Sequence, residues 1–178
     1  MKAVDPKTLR IRLFHILLAV VLIAVDQVSK ILVRANLDGT NDIVLIKGVF
    51  RFTFLKNTGA AWGIFSSRTG SVIFLSVVSI LILVAVLFLY FRIPDEKKYG
   101  ILKVLVVFIV AGAIGNLIDR LLFSYVTDFL YFELINFPVF NIADCYITVT
   151  CFLLVILMLT KFRNDELEFL SFKKKDKT

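Results

Sequence analysis

Several side chains in this sequence carry ionisable or strongly hydrogen-bonding groups with apolar residues on both sides: Asp26, Lys30, Asn116, Asp119, Arg120, Asp128, Asn141 and Asp144. Charge is expensive in an apolar segment, and such groups mark functional sites by default. Asp128 and Asp144 are the hardest to explain as scaffolding, because neither has a cation close to it in sequence. Two carboxylates sharing one low-dielectric site do not both ionise; one keeps its proton. Such a pair can hold a water, with the ionised partner as general base. The protonated partner then hydrogen-bonds the scissile carbonyl. The chemistry is peptide hydrolysis with no metal and no covalent intermediate. Competing machinery is poorly represented. The chain has no Gly-x-Ser-x-Gly elbow, and its one histidine, His15, lies far from these carboxylates. Cys145 and Cys151 lack a CxxC spacing and read as small hydrophobes, so no cofactor, metal site or disulfide framework is expected.

Spacing groups the remaining polar residues. Asp26 and Lys30 stand at i, i+4 and can pair, which suits fixing helix packing at least as well as chemistry. Asn116, Asp119 and Arg120 share a helical face that continues from Gly112 and Gly115, residues that permit close helix approach. Arg120 could equally be reaching an interface. Asn141 and Asp144 stand at i, i+3 on another face. Asn57-Thr58-Gly59 reads as a turn, or as a place where an asparagine binds a substrate backbone.

These residues need elements to position them, and composition names the solvent. Of 178 residues, 59% are hydrophobic, more than a small soluble core can hide. With a mean hydropathy of +0.89, the bilayer is the natural surrounding for most of one integral membrane domain spanning residues 1–178. Four apolar runs are long enough to cross it: Leu13–Val33, Val72–Phe91, Leu102–Phe123 and Asn141–Leu159. The first follows Lys2, Lys7, Arg10 and Arg12 as a signal peptide would, but Asp26-Gln27-Val28-Ser29-Lys30 replaces a cleavage site, so it reads as a retained anchor.

The net charge of +7 sits at the ends of these runs and in the tail (Lys173-Lys174-Lys175), a pattern of topology and anionic headgroups rather than of nucleic-acid binding. Basic residues concentrate in the N-terminal segment, between runs two and three, and in the tail, which predicts both termini in the cytoplasm. Asp26 and Lys30, Asn116 to Arg120, Asp128, and Asn141 with Asp144 then all fall at the outer membrane face. A proton-coupled transporter would instead place its carboxylates near the midplane and show repeats. A scaffold protein would not need a second carboxylate facing the first.

Two external segments remain. Residues 40–68 contain Ile43-Val44-Leu45-Ile46, then Lys47-Gly48, then Val49–Leu55, which predicts strand, turn and strand with Phe50, Phe52 and Phe54 on one face toward lipid. Ser124 to Phe140 is short and apolar, with Phe137-Pro138 leading into the fourth helix.

The motifs together resemble the lipoprotein signal peptidases, four-helix membrane aspartic peptidases of bacteria. The resemblance rests on Asp26-Gln27-Val28-Ser29-Lys30, Asn57-Thr58-Gly59-Ala60-Ala61-Trp62, Gly112 through Arg120, Val126-Thr127-Asp128-Phe129, and Phe140-Asn141-Ile142-Ala143-Asp144, in that order along nearly the whole chain. It implies that Asp128 and Asp144 are the catalytic dyad, and that Asn57, Gly59, Asn116, Arg120 and Asn141 line or brace the site. Asp26, Lys30 and Asp119 are then structural. It implies an all-α membrane fold of four transmembrane helices with a small extracytoplasmic sheet and a short, mobile extracytoplasmic helix, in the bacterial cell membrane. The implied substrate is a prolipoprotein whose cysteine already carries a diacylglyceryl group, cut just before that cysteine; membrane lipids and globomycin-type inhibitors are the other implied partners. Two positions depart from the family's usual pattern: Ala111 where glycine is common, and Cys145 where serine is common.

Overall fold

The computed structural model describes residues 5–39, 42–59, 68–162, 166–167 and 169. Ala60-Ala61-Trp62 of the second motif and the lysine-rich tail lie outside them.

Four helices carry the apolar runs: α1 (Pro6–Leu37), α2 (Arg68–Arg92), α3 (Gly100–Phe123) and α4 (Ile142–Thr160). All four are long and apolar enough to cross a membrane. Helix α1 extends beyond its apolar run at both ends. Asp5 caps its start, accepting from the Thr8 amide at 3.4 Å, and Pro6 suits the first turn, where an amide proton would have no partner.

Three strands form one antiparallel sheet in the order β1 (Ile43–Ile46), β2 (Phe50–Asn57), β3 (Val126–Phe132). The hairpin is as read from sequence, but the sheet has a third strand in the segment between α3 and α4, and Asp128 lies on it. Between β2 and β3 the register slips by one residue between Phe52 and Leu55, with the extra residue on β2. Phe52 and Phe54 pack on Val33, Leu37 and Phe129, so these rings are half-buried against protein and not turned wholly to lipid. After β3, the described residues contain a 3-10 turn, Glu133–Ile135; of the two external segments in which a short helix is expected, residues 60–67 lie outside the described residues.

Helix α3 is the hub, packed by α1, α2 and α4. Its glycines make this possible: a Cβ on Gly112 would stand 2.6 Å from the Ala143 carbonyl oxygen, and one on Gly115 would stand 2.5 Å from Asp26 Oδ2. The burial pattern inverts that of a soluble protein. Among the most deeply buried large side chains are Lys30, Asn141, Thr127, Asp26, Asp119 and Asp128, while Leu81, Phe91 and Leu159 stand more than 60% exposed. Apolar atoms facing outward and polar groups facing inward are what a hydrocarbon solvent selects.

Candidate active site

Two charge systems sit side by side at the sheet end of the bundle. In the first, Lys30 of α1 is fully buried, with its ammonium 2.9 Å from Asp26 Oδ2, 3.7 Å from Asp119 Oδ2 and donating to Asn116 Oδ1 at 3.0 Å. Arg34, one turn further along α1, lies 3.6 Å from Asp119 Oδ1 and donates to Thr127 Oγ1 at 2.7 Å. The carboxylates also hold backbone: Asp26 accepts from the Ala143 amide at 3.0 Å, and Asp119 from the Thr127 amide at 2.8 Å. Gln27 ties α1 to α3 by donating to the Gly115 carbonyl at 3.0 Å. Two cations balance two carboxylates here, and every member is bonded. Such a cluster fixes how α1, α3, α4 and β3 meet.

The second system is Asp128 and Asp144, and no cation among the described residues bonds it. Asp128 Oδ1 accepts from Asn141 Nδ2 at 2.6 Å, and Oδ2 accepts from Asn57 Nδ2 at 2.7 Å. Asp144 Oδ1 accepts from Asn116 Nδ2 at 2.8 Å, and Oδ2 from the Asn141 backbone amide at 3.1 Å. Asn141 therefore touches both carboxylates. It also caps α4, its Oδ1 accepting from the Asp144 amide at 3.0 Å, which completes a reciprocal capping box.

The amide orientations follow from the partners on the other side. Lys30 only donates, so it takes the oxygen of Asn116 and leaves the nitrogen for Asp144. The Asp144 amide does the same to Asn141. Gly59, at φ +74, donates its amide to Asn57 Oδ1 at 2.8 Å and turns Asn57 Nδ2 toward Asp128. That φ suits glycine and strains other residues. Three side-chain amides thus present N–H groups to the carboxylate pair, each fixed by an obligate donor behind it.

Burial pushes the Asp128 carboxyl up from 3.8 to about 6; the charge of Asp144 pushes the same way, and the Asn57 and Asn141 amides oppose it. Asp128 lies on β3, outside the membrane-spanning helices. A buried carboxyl poised near neutrality beside a second carboxylate can hold or release a proton during catalysis.

Of the residues singled out from sequence, Asn57, Asn116, Asn141, Asp128 and Asp144 come together, with Gly59 behind Asn57. Asp26, Lys30 and Asp119 form the balanced cluster beside them. Arg120 does not bond either member of the pair; it reaches α2, donating to Ser79 Oγ at 3.4 Å, and forms no ion pair with a described residue. Sequence reading missed Gln27, Arg34 and Thr127 as members of the network. Arg34 continues the Asp26, Lys30 stripe at the next i+4 step, a signal that was available. Among the described residues no group of His, Cys, Asp and Glu is arranged to hold a metal.

Comparison with known proteins agrees with this architecture. A family model described as signal peptidase (SPase) II matches residues 18–160. The lipoprotein signal peptidase of Microcystis aeruginosa is 43% identical over 146 residues, covering 79% of this chain and 88% of that protein. The lipoprotein signal peptidase of Clostridium tetani is 39% identical over 148 residues, covering 82% and 92%. A solved bacterial membrane enzyme, determined by the in meso method at 1.9 Å resolution, superposes with a TM-score of 0.71 at 33% identity, covering 84% of this chain and 94% of that one. The chain belongs to the signal peptidase II family.

Proposed function

We propose that this protein is a lipoprotein signal peptidase that cuts the signal peptide from diacylglyceryl-modified prolipoproteins immediately before the lipidated cysteine. In this reading Asp128 and Asp144 activate a water, and no metal or cofactor takes part. The chain crosses the bacterial cell membrane four times with both termini in the cytoplasm, and its site lies near the outer face.

The observation that carries the reading is the asymmetry between the two charge systems. Asp26 and Asp119 are neutralised by Lys30 and Arg34, as scaffolding requires. Among the described residues, neutral amides alone bond Asp128 and Asp144, and one asparagine bridges them. Such a pair keeps its proton-transfer capacity, because no cation fixes both groups as carboxylates. Asp144 sits in the first turn of α4, where the helix N-terminus favours negative charge, so it acts as the base that takes the water's proton. Asp128 carries the proton that hydrogen-bonds the scissile carbonyl and later passes to the leaving amine. The family names of the relatives support the substrate, and the placing of basic residues supports the orientation.

The test is cleavage of a diacylglyceryl-modified precursor by purified protein in detergent. Asp128→Asn and Asp144→Asn should each fold and lose cleavage by about 10²–10⁴-fold or more. Asp119→Asn should lower the yield and leave turnover in what folds. Normal turnover by Asp128→Asn, beside a folded but inactive Asp119→Asn, would overturn the assignment.

A further inference from the structure

At the end of the bundle remote from the carboxylates, α1 stands apart from the corner where α2 turns into α3. His15 lies eleven residues before Asp26 on α1, about 17 Å along the axis. Two openings meet at His15. One is a carbon-lined groove of about 200 Å³ between Ile16, Ala19, Leu87, Phe91 and Val107. The other is a cavity of about 500 Å³ at the mouth, walled by Lys7, Asp95, Glu96, Lys97 and Lys103. His15 bonds Tyr90 across the junction, Nδ1 to the hydroxyl oxygen at 2.7 Å. Both walls change character in the same direction. On α1, Lys7 and Ile11 give way to Ile16 and Ala19; on α3, Lys103 gives way to Val107 and Val110.

The charges at the mouth do not cancel. Lys7, Lys97 and Lys103 of the mouth, with Arg12 at the head of the groove, face two carboxylates. Asp95 is taken by Lys103 and by Arg12, whose Nη2 lies 3.5 Å away. Glu96 is 3.7 Å from Lys98. Lys7 and Lys97 pair with no described carboxylate, and the buried Nε of Arg12 donates to no described acceptor. We propose that this cleft binds one anionic phospholipid, its phosphate held by Lys7, Lys97 and Arg12 and one acyl chain lying in the groove beyond His15. A cationic mouth on an apolar slot between helices complements a lipid with a charged head and a hydrocarbon tail. A soluble anion would have no use for the slot. The inference rests on the reading of this chain as membrane-spanning, and it is independent of the cleavage chemistry.

The full-length protein, delipidated in a neutral detergent, is titrated with phosphatidylglycerol and with phosphatidylcholine of the same chain lengths, and binding is read by native mass spectrometry. Phosphatidylglycerol should bind more tightly. The double variant Lys7→Gln/Lys97→Gln should weaken it roughly 25-fold, at about fivefold per lysine. Arg10→Gln removes an exposed charge that does not line the cleft, and should change binding by about twofold or less. Gly100→Leu supplies a second arm. Gly100 has helical dihedrals, lines the cavity, and would send a Cβ into open space. The leucine should therefore favour the helix while displacing the lipid. Equal binding of the two lipids would overturn the proposal. So would equal weakening by Arg10→Gln and the double variant, or full lipid binding in Gly100→Leu. Glycerol phosphate binding as tightly as the whole lipid would overturn it in favour of a soluble anion. Asp128→Asn should bind phosphatidylglycerol as the wild type does, so a lost lipid preference and a lost cleavage activity count against different readings.

Discussion

Replacing Asp128 by asparagine separates what its charge costs from what its shape contributes. Its carboxyl is pushed up from 3.8 to about 6, mainly by burial. At about 1.4 kcal/mol per pH unit, that gap is worth about 3 kcal/mol. The folded protein holds this proton more tightly than the unfolded chain. The stabilisation is therefore whole below pH 3.8 and is lost as the pH rises through about 6. Asparagine has no such proton to lose. Its own amide, however, must point an NH₂ at Asn57 or Asn141, both of which already donate there. That conflict costs about 1–3 kcal/mol at every pH. Asp128→Asn should thus be less stable than the wild type near pH 4. By about pH 8 the difference should have moved by about 2.5 kcal/mol in the variant's favour, the part of the gap not already lost by about pH 4. Reversible unfolding in mixed micelles, followed from about pH 4 to about pH 8, reads the change directly. Parallel stability curves for the two proteins would refute the reasoning, because then the folded site does not hold the Asp128 proton.

Lys30→Met should destabilise the fold by about 3–5 kcal/mol, since it leaves Asp26 without a cation, and Lys30→Met/Asp26→Asn should recover part of that loss in the same unfolding measurement. Gly115→Ala should cost about 1–3 kcal/mol, because its methyl meets Asp26 Oδ2 at 2.5 Å and the carboxylate is held from three sides; melting at or above the wild-type temperature would mean that α1 and α3 separate freely. Cys145→Ser and Cys151→Ala should each retain most cleavage activity, and loss of turnover in a well-folded Cys145→Ser protein would point to thiol chemistry.

The helices were legible in the sequence because hydrocarbon imposes a length and a composition at once. The apolar runs lie within α1 to α4, apart from Asn141, the residue that caps α4. Their ends were less legible, since Pro6 to Arg12 mixes charged and apolar residues and is helical through its cap rather than its hydropathy. Strand β3 escaped because Val126–Phe132 borders α3 and is apolar on both faces apart from Thr127 and Asp128, so no alternation announces it. Its β-branched and aromatic residues were the available sign. The pair Asp128 and Asp144 stood out as carboxylates without local cations. What joins Asn57 to them is a pairing between strands some seventy residues apart in sequence, and no local pattern reports it.

The slip between Phe52 and Leu55 decides which residue of β2 reaches the pair. Phe50, Arg51 and Phe52 face Phe132, Tyr131 and Leu130; had that register continued, Lys56 would stand opposite Val126, where Asn57 stands now. An ammonium beside Asp128 would favour its ionised form and draw its pKa back down from about 6. One surplus residue in a surface strand thus exchanges a permanent cation for a neutral donor. The acidity of the site is in this sense a property of strand alignment: an insertion or deletion in β2 between this slip and Asn57 would retune it with Asp128 and Asp144 both still in place.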